Sequence, residues 1–379
     1  MRVIHTIPHI GRISAGPSLS VLNLCESLNE SNNIILASTD PKGSLDQYSF
    51  IKTFPINFKM KKLEFSSEMY YWIKNNLKEK KFDIVHNHSL WLIQNLYPSW
   101  AAYQSNTPII ISPRGTLSEP AMKSGSKLKK LFWFLLQKPA LKDATYFHAT
   151  SLSELHDIRS HGFKQPIIQI PNGLNIPSNV TRYKEASKRK KKFLFLGRIH
   201  PIKGLENLLV AWSAFENEHP EWHLEIAGPD SYNYLSKLKQ LSYKLNLNRI
   251  KFIGEVTGPT KEDLFHSSSI LILPSFSENF GMVIAEALSR GIPCIASHGT
   301  PWQDLPNKNA GWWISNSAET IFLALREASL KSSKELEIMG ENGKNWIMED
   351  FSLKKNALKW NQAYNWVLSK KNKPDFIYD

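Results

Sequence analysis

The sequence predicts an α/β protein of two doubly wound domains, each a parallel sheet covered by helices on both faces, facing each other across a cleft. Three observations predict it. Short β-branched apolar runs alternate with amphipathic stretches from end to end, the rhythm of βαβ units. The 379 residues exceed the usual size of one compact domain. A basic, polar stretch without apolar periodicity interrupts the alternation near its middle. Hydrophobic residues at 42% and charged residues at 21% exclude a mainly disordered chain.

A first domain is predicted over 1–175. Its strands fall at Val3–Ile7, Ile34–Ser38, Asp83–His88, Pro108–Ser112, Thr145–Thr150 and Ile167–Ile170, with helical stretches at Leu19–Leu28, Met69–Lys78 and Lys127–Leu141. Residues 176–192, with Pro177, Ser178 and the run Lys188–Lys192, read as a solvated basic linker. A second domain is predicted over 193–356. Its strands are Phe193–Leu196, His223–Ala227, Lys251–Ile253, Ile270–Leu273 and Pro293–Ala296, and its helices Leu205–Glu216, Tyr234–Leu245, Phe280–Ser289 and Glu319–Ser329. The segment Ser352–Ser369 reads as a long amphipathic helix bearing Trp360, Tyr364 and Trp366. The part from about 357 to 379 is expected to pack back on the first domain.

Charge is uneven. The formal net charge is +13; residues 1–177 hold 20 Lys/Arg against 12 Asp/Glu, 178–192 hold 7 against 1, and 193–379 hold 20 against 21. A basic half and a neutral half expect different partners. No apolar run approaches the roughly 18–20 residues that cross a bilayer, and the start MRVIHTIPHIG lacks the features of a secretory leader. Cys25 and Cys294 lie far apart in apolar surroundings, so neither a disulfide framework nor a zinc site is expected, and a reducing cytoplasmic location fits.

Chemistry concentrates in two stretches of the second domain. In Pro274-Ser-Phe-Ser-Glu278-Asn279-Phe280-Gly281 a strand ends and a helix is predicted to begin near Asn279–Phe280 and stop at Gly291. Glu278 then sits at a strand's carboxyl end, and Gly281 lets a ligand approach the unpaired N–H groups of the first turn. Glu286 lies among Met282, Val283, Ile284, Ala285, Ala287 and Leu288, so its carboxylate needs a partner, and a buried ion pair with an arginine is the plain structural reading. In Phe193-Leu-Phe-Leu-Gly-Arg198-Ile-His-Pro-Ile-Lys203-Gly204, a strand runs into a loop carrying a guanidinium and an ammonium suited to phosphate oxygens.

These residues carry a resemblance. Glu278–x7–Glu286 with Asn279-Phe280-Gly281 between them resembles the signature of the retaining nucleotide-sugar glycosyltransferases of family four, and Leu196-Gly-Arg198…Lys203-Gly204 is similar to that family's diphosphate loop. Ile170-Pro-Asn172-Gly173, Leu224-Glu-Ile-Ala-Gly228-Pro and Ile253-Gly254-Glu-Val256 extend the likeness along almost the whole chain. The resemblance implies a GT-B fold: two Rossmann-like domains facing a cleft, the donor in the second and the acceptor mainly in the first. It implies that Arg198 and Lys203 neutralise the donor diphosphate together with the helix opening at Phe280–Gly281. Glu278 would contact hydroxyls of the donated sugar, Glu286 the ribose, and Gly228 and Val256 the neighbourhood of the base. It also implies no metal and no cofactor beyond the donor. No Asp-x-Asp triplet stands in the chain to hold a magnesium–diphosphate.

The first domain departs from the pattern twice. Its glycine-rich loop reads Gly11-Arg-Ile-Ser-Ala15-Gly16-Pro17, with Ala15 in place of a second glycine and Gly16 left to approach a phosphate. Where many relatives have a histidine after the fourth strand, this chain has Arg114, which is expected to bind an anionic acceptor or the donor phosphate. His86 and His88 point to the same side of a strand. With no third ligand adjacent in sequence a metal is not expected, and His88 is the candidate to reach a sugar. His148 reads as a core histidine.

The segment Lys123–Lys138 combines lysines with Leu131-Phe-Trp-Phe-Leu-Leu136. The apolar residues are expected to face the core and the lysines to allow a peripheral contact with an anionic membrane at its inner face. The resulting expectation is metal-independent hexosyl transfer from a nucleoside diphosphate to a saccharide or lipid-linked acceptor, during surface polysaccharide or lipopolysaccharide assembly. A GT-B sugar-nucleotide epimerase and a non-catalytic saccharide- or partner-binding module are the alternatives. Nucleic-acid binding lacks a recognition motif, and a nicotinamide dehydrogenase lacks a Gly-x-Gly-x-x-Gly after the first strand.

Overall fold

The computed structural model describes residues 1–10, 16–40, 45, 47–57, 64–123, 127–176 and 191–379. Most of the expected basic linker, residues 177–190, and the glycine-rich stretch 11–15 lie outside the described residues. Two compact units are present: Met1–Asn175 with Leu353–Asp379, and Ile176–Ser352.

The first unit is built on β1 (Arg2–Thr6), β2 (Asn33–Ser38), β3 (Ile51–Thr53), β4 (Ile84–His88), β5 (Ile109–Ser112), β6 (Tyr146–Ala149) and β7 (Ile167–Gln169). They pair in parallel in the spatial order β7-β6-β5-β4-β1-β2-β3. The central strands are buried along their length, which is why they read as continuous apolar runs and not as alternation. The order reverses between β1 and β4, leaving a crevice at their carboxyl ends where ligands of such sheets bind. The edge strand β3 carries only three residues, too few to register as an apolar run.

The C-terminal helix spans Leu353–Ser369 and belongs to this first unit, so the second unit ends at Ser352, not at 356. Trp360 and Tyr364 are 1% and 0% exposed and share a core with Val3, Val21, Cys25 and Leu28. The helix does not continue to 379: after Ser369 the chain turns, and Ile377–Tyr378 pair antiparallel with β7.

The second unit holds β8 (Lys192–Leu196), β9 (His223–Ala227), β10 (Ile250–Gly254), β11 (Ile270–Leu273), β12 (Cys294–Ser297) and β13 (Gly311–Ile314). All are parallel, in the order β10-β9-β8-β11-β12-β13. Both sheets thus follow the 3-2-1-4-5-6 winding of nucleotide-binding folds. Lys192 is a buried strand residue, not solvated linker. Its ammonium donates to Glu225 Oε2 at 2.6 Å and Ser267 Oγ at 2.7 Å, which compensates the charge.

The segment expected to face the core, Leu131–Leu136, turns outward. A π turn over Trp133–Gln137 sends Trp133 and Gln137 inward, one wide turn apart, and leaves Phe134, Leu135 and Leu136 exposed between them. Trp133 packs on Trp91 and His161, and Gln137 accepts from the Trp91 N–H at 3.0 Å. No helix among the described residues is long and apolar enough to cross a membrane. Cys25 and Cys294 are both free and buried.

Candidate active site

In the second unit the crevice between β8 and β11 collects the residues that the sequence singled out. The chain leaves β8 at Gly197 and passes the exposed Arg198, then makes a short 3-10 turn at Pro201–Lys203. His200 caps that turn by accepting from the Ile202 N–H at 3.0 Å, so its Nδ1 carries no proton there. Burial, aided by the nearby Arg198 and Lys203 charges, lowers the His200 pKa. The loop after β11 is sewn to the same turn by Phe276 N–H to Ile202 C=O at 2.8 Å and to the turn after β12 by Glu278 N–H to Gly299 C=O at 2.8 Å. This holds Lys203 against Glu278: their side chains form an ion pair, 11% and 20% exposed, with Ser275 Oγ donating to the same carboxylate oxygen at 3.4 Å.

The helix expected from Asn279–Phe280 begins later, at Met282, and runs to Ser289. Gly281 is its N-cap in the left-handed region at φ 77°, a conformation that an L side chain resists, so Asn279 and Phe280 belong to the loop. Phe280 is buried against Trp302, whose indole N–H donates to the Phe280 carbonyl at 2.5 Å. Asn279 is half-buried. Glu286 is 13% exposed and pairs with Lys261 at 2.8 Å, so its partner is a lysine where an arginine was the plain expectation. Gly228 has a structural duty: a Cβ there would lie 1.9 Å from the Gly197 carbonyl oxygen, so only glycine lets the ends of β8 and β9 close beside Arg198. Val256 is half-buried, two residues past β10.

In the first unit, Gly16 opens the helix Gly16–Asn29. Arg114 follows β5 at φ 58° and is 7% exposed. It donates to Asn172 Oδ1, to Ser20 Oγ at 3.4 Å and to His88 Nδ1 at 3.2 Å. Its pKa is lowered by burial to about 10, so it stays a cation at neutral pH. His88 does not reach outward: it is fully buried, and His5 Nδ1 lies 3.0 Å from its Nε2. The sequence showed no third ligand near His86 and His88, but β1 supplies one, since the strand register sets His5 opposite His86. Ligand atoms of the three lie within 4.8 Å of one another. Each nitrogen nevertheless has a hydrogen-bond partner, Tyr364 and Ser112 completing the set. Burial is the main force lowering the pKa of all three imidazoles, with His5 falling to about 3. His148 is the buried core histidine expected, bonded to Ser112 and the Ile170 carbonyl.

Family models match both units. Residues 15–176 match the model of glycosyltransferase family 4, and residues 179–346 match that of the group 1 glycosyl transferases. The chain belongs to glycosyltransferase family 4. Among curated members it is 28% identical over 195 residues to an uncharacterised glycosyltransferase of Haemophilus influenzae, a match covering 50% of this chain and 52% of that one. It spans only about half the length of that relative. It is 26% identical over 311 residues to a phosphatidyl-myo-inositol mannosyltransferase of Mycobacterium leprae, covering 78% of each. Among solved structures, Anabaena HepE in complex with UDP and glucose superposes with a TM-score of 0.75 at 16% identity, covering 96% of this chain and 99% of that one. The fold is GT-B.

Proposed function

We propose that this family member is a retaining, metal-independent glycosyltransferase that moves a hexose from a nucleoside diphosphate to a saccharide or lipid-linked acceptor in surface polysaccharide or lipopolysaccharide assembly. One observation carries the reading: Lys203 and Glu278, brought from two separate loops, form an ion pair where the order of the second sheet reverses. In the reading, the ammonium of Lys203 and the guanidinium of Arg198 take the diphosphate oxygens and stabilise the negative charge growing on the leaving group. Glu278, released from Lys203 by the arriving phosphate, accepts from sugar hydroxyls. Glu286 takes the ribose, and Gly228, Val256, Asn279, Phe280 and Gly281 shape the rest of the donor pocket, while Gly16, in the first unit, is left to approach a phosphate. Solved UDP and UDP-glucose complexes of a protein with the same fold are in keeping with such a donor.

The test supplies the purified chain with a panel of nucleotide sugars and saccharide or lipid-linked acceptors, and reads product and anomeric configuration by NMR. Retained configuration, with transfer falling about 10²–10³-fold in Lys203→Ala and Glu278→Gln at unchanged folding, is the expected result. Undiminished transfer in both variants would overturn the roles, and epimerised nucleotide sugar without acceptor would overturn the reaction.

The lysines and the outward ridge support a peripheral membrane contact. Leu128, Leu131, Phe134 and Leu135 are between 54% and 74% exposed, beside exposed Lys123, Lys127, Lys130 and Lys142. Bulky apolar residues ringed by cations match an anionic lipid surface, and this contact would bring the protein to the inner face of the membrane.

A further inference from the structure

Arg114 is a buried cation whose side-chain partners are all neutral. Among the described residues it makes no ion pair: its acceptors are an amide oxygen, a hydroxyl and an imidazole, and its Nε–H has no hydrogen-bond partner. Glu154 acts on it only through the field at longer range, because its carboxylate accepts from Gly115 N–H, Thr150 N–H and Thr150 Oγ. A desolvated guanidinium without a counter-charge is unfavourable until an anion reaches it. It sits at the carboxyl end of β5, next to the point where the first sheet reverses its order.

The group that steers it is a chain of hydrogen bonds with one possible direction. At one end the Ile170 carbonyl can only accept, so His148 donates to it from Nε2 at 2.8 Å and accepts at Nδ1 from Ser112. Ser112 then accepts from His86 Nε2–H, whose Nδ1 accepts from the Tyr364 hydroxyl. Tyr364 accepts from His5 Nε2–H, and His5 Nδ1 accepts from His88 Nε2–H. That leaves His88 Nδ1 as an acceptor, which the guanidinium at the far end, able only to donate, requires independently. Both ends impose the same polarity, with all four imidazoles neutral and protonated at Nε2.

We propose that Arg114 is the anion-binding group of a subsite in the first unit, taking a phosphate or carboxylate of a substrate, and that this one-way chain holds its guanidinium in place. The assignment rests on the glycosyl-transfer reading only for the identity of the substrate that brings the anion; binding itself is measured without transfer. His88 and Tyr364 are positioning residues.

The test follows thermal unfolding of the full chain at constant ionic strength with inorganic phosphate or UDP as probe. Phosphate is expected to raise Tm by a few degrees in the wild type, to keep most of that rise in Lys203→Ala, and to give a clearly smaller rise in Arg114→Gln. Loss of the phosphate shift with the UDP shift intact assigns the anion to an acceptor; loss of the UDP shift assigns it to the donor, and either supports the subsite. Equal shifts in wild type and Arg114→Gln with both probes would overturn it. Should Arg114→Gln fail to fold, Arg114→Lys serves, with phosphate affinity expected to fall about tenfold as the planar fork is lost. The chain is read by 15N shifts of the labelled imidazoles. Four Nε2–H tautomers that do not titrate between pH 6 and 8 are expected, with loss of phosphate affinity and altered His5 and His86 shifts in Tyr364→Phe. A His88 protonated at Nδ1 at pH 7 would refute the relay. Activity lost in Lys203→Ala with the phosphate shift intact separates this subsite from the donor site.

Discussion

Acidification from pH 8 to pH 5 should weaken the first unit by about 4 kcal/mol through two side chains alone. His5 and His148 are wholly buried, and desolvation, with the Arg114 charge adding to it, lowers both from 6.5 to about 3. An imidazole held neutral in the fold binds fewer protons than the same group in the unfolded chain, so stability is complete above the unfolded value and falls as the pH drops through 6.5, continuing to about 3. At pH 5 the unfolded state gains roughly 2 kcal/mol per histidine, from 1.5 units at about 1.4 kcal/mol each. The two together reach a large part of an ordinary domain's net stability of roughly 5–15 kcal/mol. His86 and His88 are shifted in the same direction and steepen the slope. The groups facing the set are Arg114, Tyr364 and Cys25, and of these none titrates in the window, because burial raises the tyrosine and the thiol and Arg114 remains near 10. Depressed carboxylates such as Asp83 lose their stabilising charge only below their ordinary value of 3.8. Hydrogen exchange of peptides from β1, β4, β5 and β6, corrected for the intrinsic pH dependence of exchange, measures the difference. His148→Gln should shrink it by about 2 kcal/mol. Protection equal at pH 5 and pH 8 to within about 1 kcal/mol would refute the neutral, buried assignment.

Three further outcomes follow from local geometry. Gly228→Ala places a methyl 1.9 Å from a backbone carbonyl that cannot move without parting β8 from β9, so a loss of roughly 2–4 kcal/mol and misplacement of the Arg198 turn are expected, read by urea unfolding of the second unit and by donor affinity. Glu216 is a buried acceptor for Trp212 Nε1–H, Asn248 N–H and Arg249 N–H at 2.9–3.1 Å; Glu216→Ala strands three donors and should cost roughly 3 kcal/mol or more in the same assay. Replacing exposed Phe134 and Leu135 by Glu, which leaves the core untouched, should lower partitioning onto anionic vesicles at least about tenfold, and Lys127→Ala with Lys130→Ala about thirtyfold, at about 1 kcal/mol per lysine; unchanged sedimentation with vesicles would refute the ridge as a lipid contact.

The two halves of the molecule differ in how far their chemistry could be read in advance, and the reason is the sequence distance over which each site is assembled. In the second unit the strand, turn and loop that carry Arg198, Lys203, Glu278 and Gly281 are contiguous stretches, and residue order alone sets each at a strand's carboxyl end. What escaped there was fine geometry: the left-handed Gly281, which delays the helix to Met282, and the packing duty of Gly228, visible only when β8 and β9 lie side by side. The first unit hides more, because its network joins His5, His86, His88, Ser112 and His148 from four strands to Tyr364 from a helix 359 residues away from His5. Seen singly, His148 reads as a core residue and His88 as one reaching outward to a sugar, and neither reading shows the network. Their meaning lies in the register that sets His5 against His86 and in the final helix that closes over them. A buried imidazole chain between a fixed acceptor and a fixed donor has one low-energy proton arrangement, which makes it rigid. Rigidity of that kind serves the residue at its open end, and the residue there is Arg114, standing where the resemblance led one to expect a histidine. The departure from the family pattern and the histidine network are therefore one feature: moving the cation into that position is tolerable because its acceptor, His88, is held neutral by everything behind it.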